Sequence, residues 1–156
     1  MDEKNVNARE VFQVLCDGLD QMGWNYDAEP EKLKILFHVK GEDLPMTFVM
    51  AVDADRKLVS LISILPFRFK EEKILDGAIA TCYANYKAFD GSFDLNIRDG
   101  SVAFRMTTSY RDSIIGPKMV EYLVGWASLA VDDYNDKFFM INQGLLSVED
   151  FITGLQ

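Results

Sequence analysis

The stretch FDGSFDLNIRDGSVAFRMTTSY, residues 89–110, contains the clearest structural signal of the chain. Asp99-Gly100 is a strong signal for a two-residue turn between antiparallel strands. If these residues form the loop, Asp94 lies opposite Arg105 on one face, where opposite charges attract. Three apolar pairs then share the other face: Ile97 with Val102, Leu95 with Phe104, and Phe93 with Met106. The stretch therefore predicts a hairpin with one buried face.

The residues before this hairpin predict a helix and three strands. Apolar side chains recur every three or four positions over residues 8–22, which indicates an amphipathic helix that Gly23 can end. LKILFHV, residues 33–39, alternates apolar and polar side chains and predicts a half-buried strand. TFVMAV and LVSLISILPF, residues 47–52 and 58–67, are apolar at nearly every position, a pattern typical of strands covered on both faces.

Three further helices are predicted, one before the hairpin and two after it. Residues 70–89 form the first, and the small residues Gly77, Ala78, Ala80 and Ala84 allow another backbone to approach it closely. Pro117 suits the first turn of a long helix, and Ser147 can cap a short final one. The apolar stripe of the helix over residues 70–89 consists of Leu75, Ala78, Ile79, Cys82, Tyr86 and Phe89.

The resulting order is helix, three strands, helix, two strands, long helix, short helix. It predicts the α+β class with a largely antiparallel five-stranded sheet. The connections are short and no repeat is visible, so residues 1–156 are expected to form a single domain. A chain of this size buries about two-thirds of its unfolded surface, which is enough for one core.

Composition excludes several classes of partner. The net charge of −9 disfavours nucleic acid, because phosphate binding rests on Lys and Arg. The longest apolar stretch is about half the length that a membrane helix requires, so no membrane partner is expected.

The first twenty residues hold no apolar secretion signal, which predicts a cytoplasmic location. Cys16 and Cys82 are expected to be small buried hydrophobes in a reducing compartment.

Catalytic and metal motifs are absent from the sequence. His38 is the single histidine, which leaves no pair of His ligands for a metal site. DADRKLVSLISI and DLNIRDGSVAFR begin like calcium loops but lack the glycine at the sixth position and the glutamate at the twelfth. Asp132 and Asp136 share a helix face, where a solvated role is favoured over a cation site. We therefore expect no catalytic residue, cofactor or metal, and no enzymatic activity.

Surplus apolar surface instead indicates a binding role. One layer of helices covers only one face of a sheet, so the apolar strands over residues 47–65 need a second cover. The final helix or a terminus is one alternative, and a second copy or a peptide is the other, which would favour a symmetric homodimer. The predicted partner-binding residues are Val49, Ala51, Val59, Leu61, Leu65, Ala78 and Cys82.

The element order and LDGAIATCYANYKAFDGSFDLNIRDGSVAFRM, residues 75–106, resemble the YbjN-like family of bacterial proteins regarded as sensory transduction regulators. Gly23 after the first helix, VDADRKLVSLISILP at residues 52–66, and Asn85 add to the resemblance, which spans about residues 8–141. The order is also similar to that of type III secretion chaperones, which are small, acidic, dimeric proteins. The resemblance implies a non-enzymatic, dimeric regulator that binds a protein or peptide. A chaperone for an export segment is the alternative, and an enzyme with an unrecognised site is a remote one.

Overall fold

The computed structural model describes residues 3–154 as four α-helices and one sheet, so the predicted α+β class is confirmed. Two short 3-10 helices, Pro30–Lys32 and Glu71–Lys73, precede β2 and α2. The helices are α1 (Glu3–Gln21), α2 (Ile74–Lys87), α3 (Pro117–Asn142) and α4 (Val148–Gly154). The strands are β1 (Asp27–Glu29), β2 (Lys34–Val39), β3 (Met46–Asp53), β4 (Leu58–Arg68), β5 (Ser92–Leu95) and β6 (Ser101–Ser109).

The sheet has six antiparallel strands in the order β1-β2-β3-β4-β6-β5, one more than the five predicted. The additional strand, β1, is three residues long and pairs with β2 at the edge, with Ala28 opposite Ile35. All three of its residues are exposed, so the sequence carries no alternating pattern that could have revealed it. β1 was missed because an exposed edge strand of this length needs no buried apolar side chains.

The β5–β6 hairpin exists, but its register differs by two residues from the prediction. Phe93 pairs with Phe104, and Leu95 pairs with Val102. The loop spans residues 96–100, because the Gly100 N–H donates to the Asn96 carbonyl at 2.8 Å. A slip of two residues returns every side chain to the same face, so the apolar pattern alone could not distinguish the two registers.

The helices cover one face of this sheet. Along β3 buried and partly buried residues alternate strictly, and the buried set includes Phe48 and Met50. α3 contacts β3, β4 and β6, while α1 packs on α3 and β3. Aromatic rings fill the space between the layers, with Phe93 in contact with Phe104 and Phe138 at centroid distances of 4.9 and 5.0 Å. The core therefore lies on the helical side of the sheet.

The prediction that Val59, Leu61 and Leu65 bind a partner is wrong, because these three side chains are buried in the chain's own core. In the β3–β4 ladder Met50 pairs with Leu61 on the covered face, whereas Val49 pairs with Ile62 on the other face. Side chains alternate between faces along a strand, so the five named strand residues cannot form one surface. Only Val49 and Ala51 lie on the face that the helices leave open, and both are partly buried.

Among residues 3–154, no helix is long and apolar enough to span a membrane.

Candidate protein-binding surface

Bulky apolar side chains of α2 point away from the core. Phe89, just after the helix, is 97% exposed, and Tyr86, Leu75 and Ile79 are 81%, 73% and 42% exposed. Exposure on this scale is unusual for large apolar side chains that recur along one face of a helix. We define the α2 surface by the residues that share this face of the helix, by Phe89 after the end of the helix, and by the neighbouring side chain of α4: Leu75, Ala78, Ile79, Cys82, Tyr86, Phe89 and Ile152.

The opposite face of α2 is buried and made of small residues. Gly77, Ala80, Thr81 and Ala84 are its buried members. A Cβ at Gly77 would lie 2.8 Å from the Phe69 ring, so this position accepts no larger side chain without a shift of the ring. The helix therefore approaches the core closely through its small residues. Leu75, Ile79 and Tyr86 remain on the outside. Ile74 and Tyr83, at the edges of the buried face, pack partly against the core.

Hydrogen bonds fix this orientation of α2. The Asn85 side chain donates from Nδ2 to the Phe93 carbonyl at 3.0 Å and accepts at Oδ1 from the Phe93 N–H at 2.7 Å. It thereby satisfies both backbone groups of one residue of β5, the edge strand of the sheet. The Thr81 hydroxyl donates to the Gly77 carbonyl at 2.9 Å within the helix. The α2 surface is thus presented on a rigid element.

A groove of about 510 Å³ runs along this surface between α2 and α4. The Tyr83 ring forms an edge contact with the Phe151 ring, at a centroid distance of 6.1 Å, and so joins the two helices. As predicted, Ser147 caps α4, since its hydroxyl oxygen accepts from the Asp150 N–H at 3.0 Å. The lining residues are Ala78, Ile79, Cys82, Tyr83, Tyr86 and Ile152.

Charged groups stand beside the α2 surface and not within it. Lys73 pairs with Asp76 at 3.2 Å near the start of the helix. At the other end the Lys87 ammonium lies 5.8 Å from the centre of the Tyr83 ring. The acidic residues Glu71 and Glu72 precede the helix and are exposed. The surface is an uncharged strip with charges of both signs at its two ends, which suits a protein partner better than a charged small molecule.

The two cysteines occupy different environments. Cys16 is buried in α1, and this burial raises the pKa of its thiol, which keeps it protonated and unreactive at neutral pH. Cys82 is exposed in the groove, so the prediction that both cysteines are buried is wrong for Cys82. The cause is the orientation of α2, which turns the apolar stripe of the helix outward.

The open face of the sheet provides a second, less apolar surface. Ile64 is 61% exposed there, and a groove of about 440 Å³ extends from Ile62 and Ile64 toward Asp94. Arg105 donates from Nε to Asp94 at 2.7 Å, so the attraction predicted for this pair is present, although Arg105 is paired in the ladder with Ser92. Polar and charged groups interrupt this face, which distinguishes it from the α2 surface.

The residues considered for catalysis or metal binding have structural surroundings. His38 is exposed on β2, with Nδ1 3.1 Å from the Thr47 hydroxyl. Asp132 accepts the Glu42 N–H at 2.9 Å and ties the β2–β3 loop to α3. Asp53, the first residue of one calcium-like stretch, accepts backbone N–H groups of its own turn. Within residues 3–154, no three His, Cys, Asp or Glu side chains are grouped so that they could hold a metal ion.

The structure brings together part of the predicted partner-binding set. Ala78 and Cys82 lie in the α2 surface, while Val49 and Ala51 lie on the open sheet face. Ile79, Tyr86 and Ile152 were not predicted as binding residues. The signal for the first two was present in the sequence: a helix with small residues on one face can bury that face and expose the other.

The chain has an α+β fold of one helical layer on an antiparallel sheet, with an apolar surface on the helix beside the sheet edge. One solved structure that it resembles is that of YbjN from E. coli, a candidate transcription regulator, with a TM-score of 0.58 and 9% sequence identity. The match covers 81% of this chain and 92% of that chain. It confirms the YbjN-like fold. No protein-family profile matches the chain, and no curated protein matches it in sequence.

Proposed function

We propose that this protein is a non-enzymatic, dimeric, protein-binding regulator of the cytoplasm that makes its contacts through the α2 surface. The observation that carries the proposal is the outward position of Leu75, Ile79 and Tyr86 on a helix that is fixed to the core by its other face. Hydrophobic burial is the main favourable contribution to protein association.

The size of the surface supports a contact with another protein. A large aromatic side chain can bury about 150–250 Å², and the exposed Tyr86 lines one groove together with Ile79 here. An apolar patch on the order of 500 Å² is at the upper end for a monomer and is often functional. Burial of apolar surface stabilises a complex by about 25 cal/mol per Å². Only the part that exceeds the cost of the translational, rotational and side-chain freedom lost on association appears as affinity.

The fold supports regulation as the role, since YbjN, to which the chain is similar in structure, is a candidate transcription regulator. A second candidate function is that of a chaperone for an extended export segment. The exposed Ile64 on the open sheet face and the edge strand β5, which β6 separates from the strand of Ile64, favour it, because extended peptides bind along sheet edges. The α2 surface is the larger and more apolar of the two surfaces, so we rank regulation first.

Photo-crosslinking in living cells tests the proposal. Benzoylphenylalanine replaces Tyr86 in one variant and Ile114 in the control, which is 98% exposed but outside the α2 surface. We expect at least tenfold more light-dependent adduct from position 86. Mass spectrometry then identifies the chain and the residues joined to position 86. Equal adduct from both positions, or none from position 86, would overturn the proposal.

The same variants separate the two candidate functions. Benzoylphenylalanine at Ile64 reports on the open sheet face. Adducts of an exported protein at position 64, with none at position 86, would favour the chaperone. Adducts of this chain itself, of a kinase or of a transcription factor at position 86 would favour the regulator.

A further inference from the structure

We infer that α2 keeps the β5 edge of the sheet closed to strand addition, with the Asn85 side chain in the place where a further strand would pair. The inference goes beyond the proposed function, because it concerns the edge of the sheet and not the α2 surface. It names a class of contact that the fold excludes: an extended segment of a partner cannot lengthen the sheet at β5 while α2 is in place.

The backbone of Phe93 points away from the sheet. β5 is the last strand in the order and has β6 as its single neighbour among the described strands. In an antiparallel pair, residues that bond to the neighbouring strand alternate with residues that do not. The Asn96 N–H donates to the Ser101 carbonyl at 2.8 Å, so Asn96 bonds toward β6. Phe93, three residues earlier, has the opposite sense, which places its N–H and C=O on the open edge.

One side chain uses both of these backbone groups. Asn85 Oδ1 accepts from the Phe93 N–H at 2.7 Å, and Asn85 Nδ2 donates to the Phe93 carbonyl at 3.0 Å. A residue of a neighbouring strand would make the same two bonds with its own N–H and C=O. The carboxamide of Asn85 therefore takes the place of one residue of a further strand.

The segment just before β5 is closed as well. The Asp90 carboxylate accepts the Gly91 N–H at 2.8 Å, and Trp126 Nε1 donates to the Asp90 carbonyl at 2.9 Å. Gly91 has a φ of +73°, far from strand conformation, so a ladder along this edge cannot continue past Ser92. Leu95, which has the same outward sense as Phe93, is the one residue of β5 that offers unbonded outward groups to another chain within the described part of the protein.

The opposite edge of the sheet is closed by different means. β1 has three residues, and Pro30, which lacks the N–H that a ladder needs, follows it directly. Its end residues, Asp27 and Glu29, are exposed acids, and charged side chains on a short edge strand oppose pairing with another chain. Both edges of the sheet are therefore protected, and a partner meets side chains and not free backbone.

The closed edge bears on the choice between the two candidate functions. A chaperone that holds an export segment as an added strand needs a row of free N–H and C=O groups. With Asn85 in place, β5 offers such groups at Leu95 only. A regulator that contacts its partner through the side chains of the α2 surface needs no free edge. The inference therefore counts against the chaperone at this edge and leaves the regulator unaffected.

A matched pair of variants tests the role of Asn85. Asn85→Ala removes the amide from the edge strand β5. Asn142→Ala removes an amide that makes the same two kinds of bond, with the Lys70 N–H and the Arg68 carbonyl, at the end of the inner strand β4. Each variant loses two hydrogen bonds to the backbone, so a general loss of stability affects both. Only Asn85→Ala opens an edge.

The binding partner in this experiment is a fluorescein-labelled peptide of residues 101–109, SVAFRMTTS, which is the sequence that pairs with β5 on its inner side. Fluorescence anisotropy measures the binding, and circular dichroism verifies the fold of each variant. We expect the peptide to bind Asn85→Ala at least tenfold more tightly than the wild-type chain, and Asn142→Ala no more tightly than the wild type. Equal binding to all three proteins, or an equal gain in both variants, would overturn the inference.

Hydrogen exchange of the wild-type chain gives a second measurement, which decides the matter even if Asn85→Ala does not fold. The Phe93 N–H is bonded to Asn85, whereas the Leu95 N–H points to the same edge without a partner among the described residues. We expect the Phe93 N–H to exchange at least tenfold more slowly than the Leu95 N–H, as measured by NMR and corrected for the intrinsic rate of each residue. Similar rates would overturn the inference, because the amide of Asn85 would then leave the edge open.

The outcomes are independent of those that test the proposed function. Adducts from position 86 in living cells report on the α2 surface, whether or not the sheet edge accepts a peptide. Tight binding of the peptide to the wild-type chain, together with adducts at position 86, would overturn this inference alone. A closed edge without adducts at position 86 would overturn the proposed function alone.

Discussion

At the scale of single residues, two side-chain amides and one glycine fix the ends of β4 and the β5–β6 hairpin. Asn85 binds both backbone groups of Phe93, so it replaces a neighbouring strand at one point of the β5 edge. Asn142 acts similarly at the end of β4, where its Oδ1 accepts from the Lys70 N–H at 2.8 Å and its Nδ2 donates to the Arg68 carbonyl at 3.0 Å. These amides satisfy backbone groups that the ladders leave open.

Gly100 provides the sharpest test at this scale. Its φ is +75°, and an added Cβ would overlap the backbone carbonyl oxygen of Phe69, which cannot move without displacing β4. We expect Gly100→Ala to lower the free energy of unfolding by more than about 2 kcal/mol, since positive φ and a backbone overlap act together.

The matched control is Gly125→Ala in the middle of α3. An added Cβ there meets nothing within 4 Å, and the position is exposed. The change is expected to raise the free energy of unfolding by about 0.5–1 kcal/mol through helix propensity. Urea unfolding followed by circular dichroism measures both variants. Equal effects of the two would show that Gly100 is not under backbone constraint.

At the scale of elements, α2 buries and exposes its side chains in the opposite sense to an ordinary surface helix. An amphipathic helix usually buries its large apolar face and exposes its polar one. α2 instead buries Gly77, Ala80 and Ala84 against the core and leaves Leu75 and Tyr86 outside. The large apolar side chains of the outer face are therefore not buried within the chain. A partner that covers this face would bury them.

A pair of identical substitutions tests this orientation. Ala84 is fully buried on the inner face, and Ala78 is partly exposed in the α2 surface. We expect Ala84→Leu to destabilise the fold by about 1–3 kcal/mol through overpacking. Ala78→Leu is expected to change stability by less than about 0.5 kcal/mol in the monomer. The free energy of unfolding at low protein concentration measures both, and a reversed order would contradict the orientation.

At the scale of the whole molecule, one layer of helices on a six-stranded sheet leaves the α2 surface and the open sheet face outside the core. α2 stands beside β5, the edge strand, and α4 packs against α2 as the wall of the groove. The open sheet face lies on the other side of the same sheet.

A dimer makes thermal stability depend on protein concentration, because association stabilises the folded state by mass action. We expect the Tm to rise by several degrees when the concentration is raised a hundredfold from 2 µM. In Ile79→Lys we expect a Tm that does not change with concentration. Differential scanning calorimetry at the two concentrations measures this. A Tm of the wild-type chain that is independent of concentration would contradict the dimer.

Several features followed from the sequence because their causes are local. Apolar patterns and helix-end signals predicted every α-helix and every strand except β1 among residues 3–154, and Pro117 and Ser147 lie where α3 and α4 begin. The faces of β5 and β6 were also predicted correctly. Their register was not, because a slip of two residues leaves the alternation of side chains unchanged. Ile97, expected in the core, lies exposed in the loop for this reason.

The binding surface depended on contacts that local sequence does not encode. The sequence determined that α2 has one face of small residues and one of large residues, since this is a property of helical spacing alone. Only the tertiary structure decided which of the two is buried, because the Phe69 ring beneath Gly77 leaves room for small side chains only. Likewise, Val59 and Leu61 are apolar in the sequence, but the pairing of β3 with β4 decided that they face the helices and not a partner.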